Sequence, residues 1–238
     1  MKKPKIITVN TIRGGSGKTL FSILLGIYLE AKVLLIDCDI QNSLSFWSQV
    51  PDQSKNLFNA IINRDATANI QKVNALIDII PSDIRLLDIQ NLEPGRFDFL
   101  SELSDYEYII FDTPPTYNGI IYNCFQISDI VILPCMLDLF SFKSISYTVK
   151  KIQQMKLNLQ IKIMVNQYEL CGGKNSYASQ LLYQLRNHED IRPHLVFKVV
   201  PKSVLFKQLS DGVIDRIPEQ KKTEYLLSTI RDLIEEVR

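Results

Sequence analysis

The chain has 238 residues, of which 46% are hydrophobic and 22% are charged, and its formal net charge is +1 at neutral pH. A chain of this size can bury a core without disulfide or metal support, and its near-neutral charge excludes binding to polyanions through overall charge alone. The four cysteines lack Cys-x-x-Cys spacing, which argues against a metal or disulfide framework and favours reduced thiols in the cytoplasm; they are Cys38, Cys124, Cys135 and Cys171.

Apolar runs alternate with helical patterns along the chain. The first run, directly after a basic N-terminus, is too short for a signal peptide or a membrane span. Strands are predicted at residues 5–9, 32–36, 75–80, 106–111, 129–134, 160–165 and 194–200. Helices are predicted at residues 20–31, 54–60, 65–74, 96–103, 144–155, 177–186 and 223–237. This alternation implies parallel crossovers, so we expect one α/β domain, residues 1–238, with a doubly wound, mostly parallel sheet and helices on both faces.

A glycine-rich turn stands between the first predicted strand and the first predicted helix. Gly14, Gly15 and Gly17 allow backbone angles that turn successive N–H groups inward around a phosphate. The helix that follows adds its N-terminal dipole to the same anion site. Lys18 can then reach the β- and γ-phosphates, and the hydroxyl of Thr19 is the expected magnesium ligand. The turn therefore predicts a nucleoside-triphosphate site.

The amino-acid sequence of this turn departs from the common phosphate loop and resembles the motif of one family. The common phosphate loop has a glycine where this chain has Ile12. Residues 13–19 read Arg-Gly-Gly-Ser-Gly-Lys-Thr, which resembles the deviant Walker A motif, Lys-Gly-Gly-x-Gly-Lys-Thr/Ser, of the ParA/MinD family of dimerising ATPases. The resemblance implies that the cofactors are ATP and Mg²⁺ and that Arg13 reaches across a dimer to the partner's nucleotide. The nucleotide contacts it implies in the loop are Arg13, Gly14, Gly15, Ser16, Gly17, Lys18, Thr19 and Leu20.

Carboxylates follow two of the predicted strands. Asp37 and Asp39 resemble the family's Asp-x-Asp-Pro-Gln pattern, with Ile40 in place of the proline, and Asp112 stands where the family has its Walker B acid. The resemblance implies that Asp39 positions the attacking water, and that Lys18 and Arg13 share the catalytic work. It also implies that Asp37 and Asp112 hold magnesium through its water shell. Carboxylates that only cap a turn or a helix are the alternative for each acid taken alone.

Two further strand ends resemble the base-binding positions of the family. Asn166 would hold the base through its side chain, and the region of Pro201 would hold it mainly through the backbone. An asparagine that simply caps a strand end is the alternative. Three departures from the family pattern, Arg13, Leu20 and Ile40, leave hydrolysis less secure than nucleotide binding.

The last predicted helix, 223–237, bears on membrane binding. One of its faces is apolar, whereas its polar face carries four acids that anionic lipids would repel; they are Glu224, Asp232, Glu235 and Glu236. We therefore expect this helix to pack on the core, and we expect no membrane binding.

The more basic part of the chain is residues 160–222, with ten Lys and Arg against six Asp and Glu. Nonspecific DNA binding requires only that phosphates be neutralised, and pairing two subunits doubles any basic patch. The expected DNA-contacting residues are Lys202, Lys207, Arg216, Lys221 and Lys222, and a second, weaker group is Lys143, Lys150 and Lys151. A solvated surface is the alternative for any single lysine.

The resemblance extends over almost the entire chain. Only a dozen residues precede the glycine turn, which leaves no room for the N-terminal helix-turn-helix domain of larger plasmid partition ATPases. The expectation is thus a small, Soj-like partition ATPase of the cytoplasm and nucleoid. In that type, ATP joins two subunits, the homodimer binds DNA nonspecifically, and a ParB-like centromere-binding protein stimulates slow hydrolysis. The alternatives are an ATP-binding scaffold with little turnover and a MinD-like spatial regulator at the membrane.

Overall fold

The computed structural model describes residues 3–168 and 177–238. The strands of its sheet are β1 (Lys5–Val9), β2 (Val33–Asp37), β3 (Gln71–Lys72), β4 (Ile77–Ile80), β5 (Tyr108–Asp112), β6 (Ile130–Cys135), β7 (Gln160–Tyr168) and β8 (Leu195–Pro201). Across the eight-stranded sheet their order is β3-β4-β2-β5-β1-β6-β7-β8. Neighbouring strands are parallel except for β3 and β4, which are antiparallel. The predicted doubly wound, mostly parallel sheet is confirmed.

Strand β1 lies in the middle of the sheet, between β5 and β6. The chain builds one half of the sheet through β2 to β5 and then builds the other half from β6 to β8, so the direction of winding reverses at β1. In such sheets, ligands bind outside the carboxyl ends of the strands at the reversal point. The glycine turn, Asp37 and Asp112 all lie at this edge.

Helices cover both faces of the sheet. They are α1 (Lys18–Tyr28), α2 (Ser43–Ser48), α3 (Leu57–Asn63), α4 (Gly119–Ile127), α5 (Leu139–Gln154), α6 (Tyr177–Asn187), α7 (Val204–Ser210) and α8 (Glu224–Val237). Short 3₁₀ turns occupy Thr67–Asn69, Ile84–Ile89, Asp98–Glu102, Arg192–His194 and Lys221–Thr223. Helices α1, α7 and α8 share one apolar cluster, and α3 to α6 pack on the opposite face. Phe21, Leu24 and Leu25 of α1 are at most 1% exposed, which confirms the predicted buried helix.

Several predicted elements differ from the structure. The predicted helix at 65–74 is wrong: this stretch forms a 3₁₀ turn and the two-residue strand β3, which pairs with β4, and a helix of this length is marginal without strong packing. The predicted helix at 96–103 is only a 3₁₀ turn. Helix α5 begins before residue 144, since Asp138 caps it by accepting from the N–H of Ser141. Helix α4 was not predicted; Asn118 caps it by accepting from the N–H of Ile121.

Helix α8 packs on the core, as predicted. Its buried apolar side chains are Leu227, Ile230, Leu233, Ile234 and Val237. Two acids of its polar face pair with sheet lysines, Glu236 with Lys162 and Asp232 with Lys198, each at 2.7 Å. Among the residues that the structure describes, no helix combines the length and the apolar composition that crossing a bilayer requires.

Three cysteines, Cys38, Cys124 and Cys135, are buried free thiols. Burial raises the pKa of Cys135 to about 12 and raises the pKa of Cys38 well above its ordinary value, which makes these thiols poor nucleophiles. This agrees with the expectation of reduced thiols for these residues. Cys171 lies outside the described residues.

Candidate functional site

The turn between β1 and α1 has the backbone geometry that glycine adopts most readily. Gly15 and Gly17 have φ values of 70° and 99°, in the left-handed region. A Cβ atom on Gly17 would lie 2.1 Å from Nδ2 of Asn166, so a side chain has no room there. Gly17 is also the N-cap residue of α1, and no side chain caps this helix. The first N–H groups of α1 are therefore left for a ligand.

Two side chains at the end of β7 hold this turn. Asn166 donates from Nδ2 to the carbonyl oxygen of Ser16 at 2.7 Å, and Gln167 donates from Nε2 to the carbonyl oxygen of Gly15 at 2.8 Å. The sequence predicts a base contact for Asn166. Its amide nitrogen braces the turn, and its Oδ1 atom has no hydrogen-bond partner in the described part of the chain. The base contact stays a prediction.

The acidic side chains predicted to act on the metal lie side by side. Asp37 and Asp112 are paired in register on the neighbouring strands β2 and β5. The hydroxyl of Thr19 donates to Oδ2 of Asp112 at 2.7 Å. Asp37 is fully buried: its Oδ1 accepts from the N–H of Asp39 at 3.0 Å, and its Oδ2 accepts from the N–H and the hydroxyl of Ser45 at 2.8 and 2.7 Å. A role for Asp37 in the water shell of a metal stays a prediction.

Burial dominates the electrostatics of these groups. Desolvation raises the pKa of Asp112 to about 8, and repulsion from Asp37 adds to the effect. Desolvation also raises the pKa of Asp37 to about 6, although the hydrogen bonds from Ser45 oppose it. Burial lowers the pKa of Lys18, which the nearby carboxylates of Asp112 and Asp39 oppose. A cation bound beside the two strand ends would favour the ionised carboxylates.

Four buried polar atoms around the turn have no hydrogen-bond partner within residues 3–168 and 177–238; they are Asn10 Oδ1, Ser16 Oγ, Asp112 Oδ1 and Asn166 Oδ1. An unpartnered buried polar group costs about 1–3 kcal/mol, so a cluster of them indicates a place for an ion or a ligand. A cavity of about 710 Å³ opens beside them, within the range of small-molecule sites.

The cavity extends from the glycine turn to the end of β8 and to α7. The lining residues that were predicted to contact nucleotide are Gly14, Gly15, Gly17, Lys18, Thr19, Leu20, Asn166 and Pro201. Asp39 also lines the cavity, on the side of β2. One nucleotide-sized space thus collects most of the residues that the sequence predicts.

Arg13 lies apart from these residues. Its Nε atom is 3.9 Å from Oδ2 of Asp138, the N-cap residue of α5, and its side chain is 45% exposed. It therefore stands at the surface beside the cavity.

The residues predicted to contact DNA do not form one patch. Lys202 and Lys207 line the cavity. Arg216 lies at the other end of α1, where its guanidinium stacks on Tyr28 and pairs with Glu30 at 3.4 Å. Lys221 and Lys222 belong to the 3₁₀ turn that precedes α8. Lys221 and Arg216 line a groove together with Tyr28, the last residue of α1, whereas the cavity lies at the start of this helix, which is about 16 Å long.

Gln167 and Ser45 are among the residues around the site that were not predicted. Gln167 has a φ of 56°, an uncommon conformation for a non-glycine residue, and it follows Asn166 in a stretch that gives no sequence signal. Ser45 lies on α2, which was also not predicted. In both cases the contact arises from tertiary placement rather than from a local pattern.

A family model described as AAA domain matches residues 4–165 of the chain. The sporulation initiation inhibitor protein Soj of Bacillus subtilis is 24% identical over 217 residues, which cover 84% of this chain and 85% of Soj. A putative plasmid partition protein of Borrelia burgdorferi, solved bound to AMPPNP, is 22% identical with a TM-score of 0.80, covering 98% of this chain and 99% of that one. Apo McdA of Cyanothece is 21% identical with a TM-score of 0.84, covering 98% and 99%. The chain belongs to this AAA-domain family and is a member of the ParA/MinD family of ATPases.

Proposed function

We propose that the chain binds ATP with Mg²⁺ at the glycine turn and hydrolyses the ATP slowly. The observation that carries this proposal is the cluster of unpartnered buried polar atoms around the turn, at the edge of the sheet where the winding reverses. The cavity of about 710 Å³ has room for a nucleotide. The similar Borrelia protein, which binds AMPPNP, supports the same ligand class.

The residues at this edge fit that ligand pair. The N–H groups of the turn and the ammonium group of Lys18 would hold the phosphates. The hydroxyl of Thr19 and the carboxylate of Asp112, already 2.7 Å apart, would hold the metal, with Asp112 acting through water. When bound, Mg²⁺ would neutralise charge on the phosphate oxygens. Asp39, at the cavity wall, would orient the attacking water.

We also propose that ATP joins two copies of the chain at this edge. Arg13 is exposed, and its ion pair with Asp138 is long at 3.9 Å. A phosphate of the nucleotide bound to the partner copy would replace Asp138 as its partner, with bidentate contacts. Exposed apolar side chains are also expected of a surface that a second copy covers. Val204 in the cavity lining is 73% exposed, Phe140, which follows the Arg13 partner Asp138 by two residues, is 73% exposed, and Phe46 on α2 is 77% exposed.

The dimer would bind DNA nonspecifically and act in plasmid or chromosome partition with a centromere-binding partner of ParB type. Support comes from the similarity to Soj and to the Borrelia partition protein. The exposed lysines at positions 207, 221 and 222 would contribute through phosphate neutralisation. A place in the cytoplasm, on the nucleoid, follows from the same proposal.

Two alternatives remain, and each has a distinct feature. A MinD-like regulator would need an apolar surface for lipid, but the apolar face of α8 is already buried in the core, which disfavours it. A scaffold with little turnover is favoured by the departures at Arg13, Leu20 and Ile40.

An ATPase assay of the purified chain distinguishes the partition ATPase, the MinD-like regulator and the scaffold. We expect turnover that requires Mg²⁺ and rises with sonicated duplex DNA but not with anionic phospholipid vesicles. Stimulation by vesicles alone would support the MinD-like reading, and ATP binding without turnover under any condition would support the scaffold. Sedimentation velocity with and without Mg²⁺ and ATP tests the dimer directly. An unchanged sedimentation coefficient would contradict it.

A further inference from the structure

Ser45 joins three segments around the site. Its backbone N–H and its hydroxyl both donate to Oδ2 of Asp37, at 2.8 and 2.7 Å. The oxygen of the same hydroxyl accepts from the N–H of Ser82, just after the end of β4, at 2.9 Å. The end of β2, helix α2 and the end of β4 therefore meet at one hydroxyl group.

Asp37 extends this contact to the residue that is proposed to orient water. Its Oδ1 accepts from the backbone N–H of Asp39 at 3.0 Å. Asp37 is 0% exposed, so protein donors replace water around its carboxylate. A displacement of Asp39 by a γ-phosphate would move the carboxylate of Asp37, and that carboxylate is bonded twice to Ser45.

Helix α2 can follow such a displacement. It has six residues, which is too short for stability of its own, so its position depends on its contacts. Gln49, at its C-terminal end, has a φ of 53°, which is uncommon for glutamine and indicates that the surroundings impose the conformation; Asn42, at the other end, has a φ of 59°, which asparagine tolerates. Trp47, the single tryptophan of the chain, lies on this helix beside the exposed Phe46.

We propose that Ser45 is a positioning residue that couples the nucleotide state of the site to the position of α2. The inference rests on the proposed ATP site and adds a route through it, from the γ-phosphate to Asp39, Asp37 and Ser45. The hydroxyl is the group that matters, because without it Asp37 loses a donor and the N–H of Ser82 loses its acceptor in the interior.

Fluorescence of Trp47 tests this coupling in the full-length chain. Mg²⁺ and ATP are titrated into the wild type and into Ser45→Ala, Ser45→Thr and Ser48→Ala, while equilibrium dialysis with radiolabelled ATP measures binding independently. Ser48 supplies the matched control, because it lies on the same helix and its hydroxyl donates to the carbonyl oxygen of Ser45, at 2.7 Å, rather than to Asp37.

We expect Ser45→Ala to bind ATP within about threefold of the wild type and to lose most of the fluorescence response. Its kcat should fall by about tenfold or more, the effect of one lost hydrogen bond to a charged group, with KM within about threefold. Ser45→Thr should restore both properties, and Ser48→Ala should behave as the wild type.

The coupling would be overturned, with ATP binding intact, if Ser45→Ala kept the fluorescence response and the kcat of the wild type. It would also be overturned if Ser48→Ala lost as much of both as Ser45→Ala. If dialysis detects no ATP binding to the wild type, the proposed function fails, and the coupling falls with it. If circular dichroism reveals that Ser45→Ala is unfolded, Ser45→Cys replaces it, because the thiol fills similar volume and is a weak donor. The same losses are then expected.

Discussion

Asp112→Asn should stabilise the ligand-free chain while removing its response to Mg²⁺ and ATP. Asp112 is 1% exposed, and desolvation with added repulsion from Asp37 raises its pKa from 3.8 to about 8. The folded state therefore keeps a proton that the unfolded chain releases near pH 4. Because the folded pKa is the higher one, the stability of the wild type falls as the pH rises from about 4 to about 8. An asparagine at this position removes that loss.

The size of the effect follows from this window. At pH 7 the wild type has passed through roughly three pH units of this window. At 1.36 kcal/mol per unit, its free energy of unfolding has fallen by about 4 kcal/mol. Relaxation of the site and water penetration reduce such penalties, so we expect about 2 kcal/mol. For a chain of this length that corresponds to an increase in Tm of about 4–8 °C. The increase at pH 5 should be about a third of the increase near pH 8.

Thermal unfolding followed by circular dichroism measures this, with Asp78→Asn as the matched control. Asp78 is also buried in the sheet, but its Oδ2 accepts from Lys32 and from the hydroxyl of Tyr106, each at 2.7 Å. Its replacement leaves a lysine without its carboxylate and should lower Tm at the same pH. Added Mg²⁺ and ATP should raise the Tm of the wild type and not that of Asp112→Asn. A lower Tm for Asp112→Asn, or an equal gain at pH 5 and pH 8, would refute the reasoning.

Three further substitutions test the proposed roles. Lys18→Ala should weaken ATP binding in dialysis by about 10–100-fold, because a charge-assisted contact to phosphate is lost, and it should abolish ATP-dependent dimerisation; retained dimerisation would contradict that role. Asp39→Ala should trap the ATP-bound dimer in sedimentation experiments, whereas a normal hydrolysis rate would remove Asp39 from the mechanism. Arg13→Ala subunits mixed with Asp39→Ala subunits, which keep Arg13 and are expected to dimerise, should have more ATPase activity than either variant alone, because the mixed dimer contains one complete site; no gain in the mixture would argue against action in trans.

The fold was largely predictable, because the buried strands are continuous apolar runs. Tyr108–Asp112 and Ile130–Cys135 are examples whose interior residues are fully buried. The misassigned stretch at 65–74 has no such run. Its pairing with β4 depends on a strand that comes later in the chain, and no local pattern encodes that partner. The short helix α2 escaped prediction for a similar reason, since contacts rather than propensity fix it.

The site was predictable where chemistry is local in the sequence. The glycines, Lys18 and Thr19 are contiguous, and the acids stand at strand ends that a parallel sheet must bring to one edge. The contacts of Asn166 and Gln167 could not be predicted, because they bridge about 150 residues to reach the turn. The direction of the Arg13 side chain also depends on Asp138, whose position follows from where α5 begins.

The division of the basic residues bears on how a DNA surface could arise. On one copy, Lys207 lines the nucleotide cavity at the start of α1, and Lys221 lines a groove beside Tyr28 at the other end of this helix, which is about 16 Å long. Arg216 is partly neutralised by Glu30. A few scattered cations bind DNA weakly at physiological salt, since affinity depends steeply on the number of phosphates contacted. Two copies joined at the cavity edge would bring Lys202 and Lys207 of each copy near one interface. DNA affinity would then depend on the dimer, and therefore on ATP, without a change in the surface of either copy.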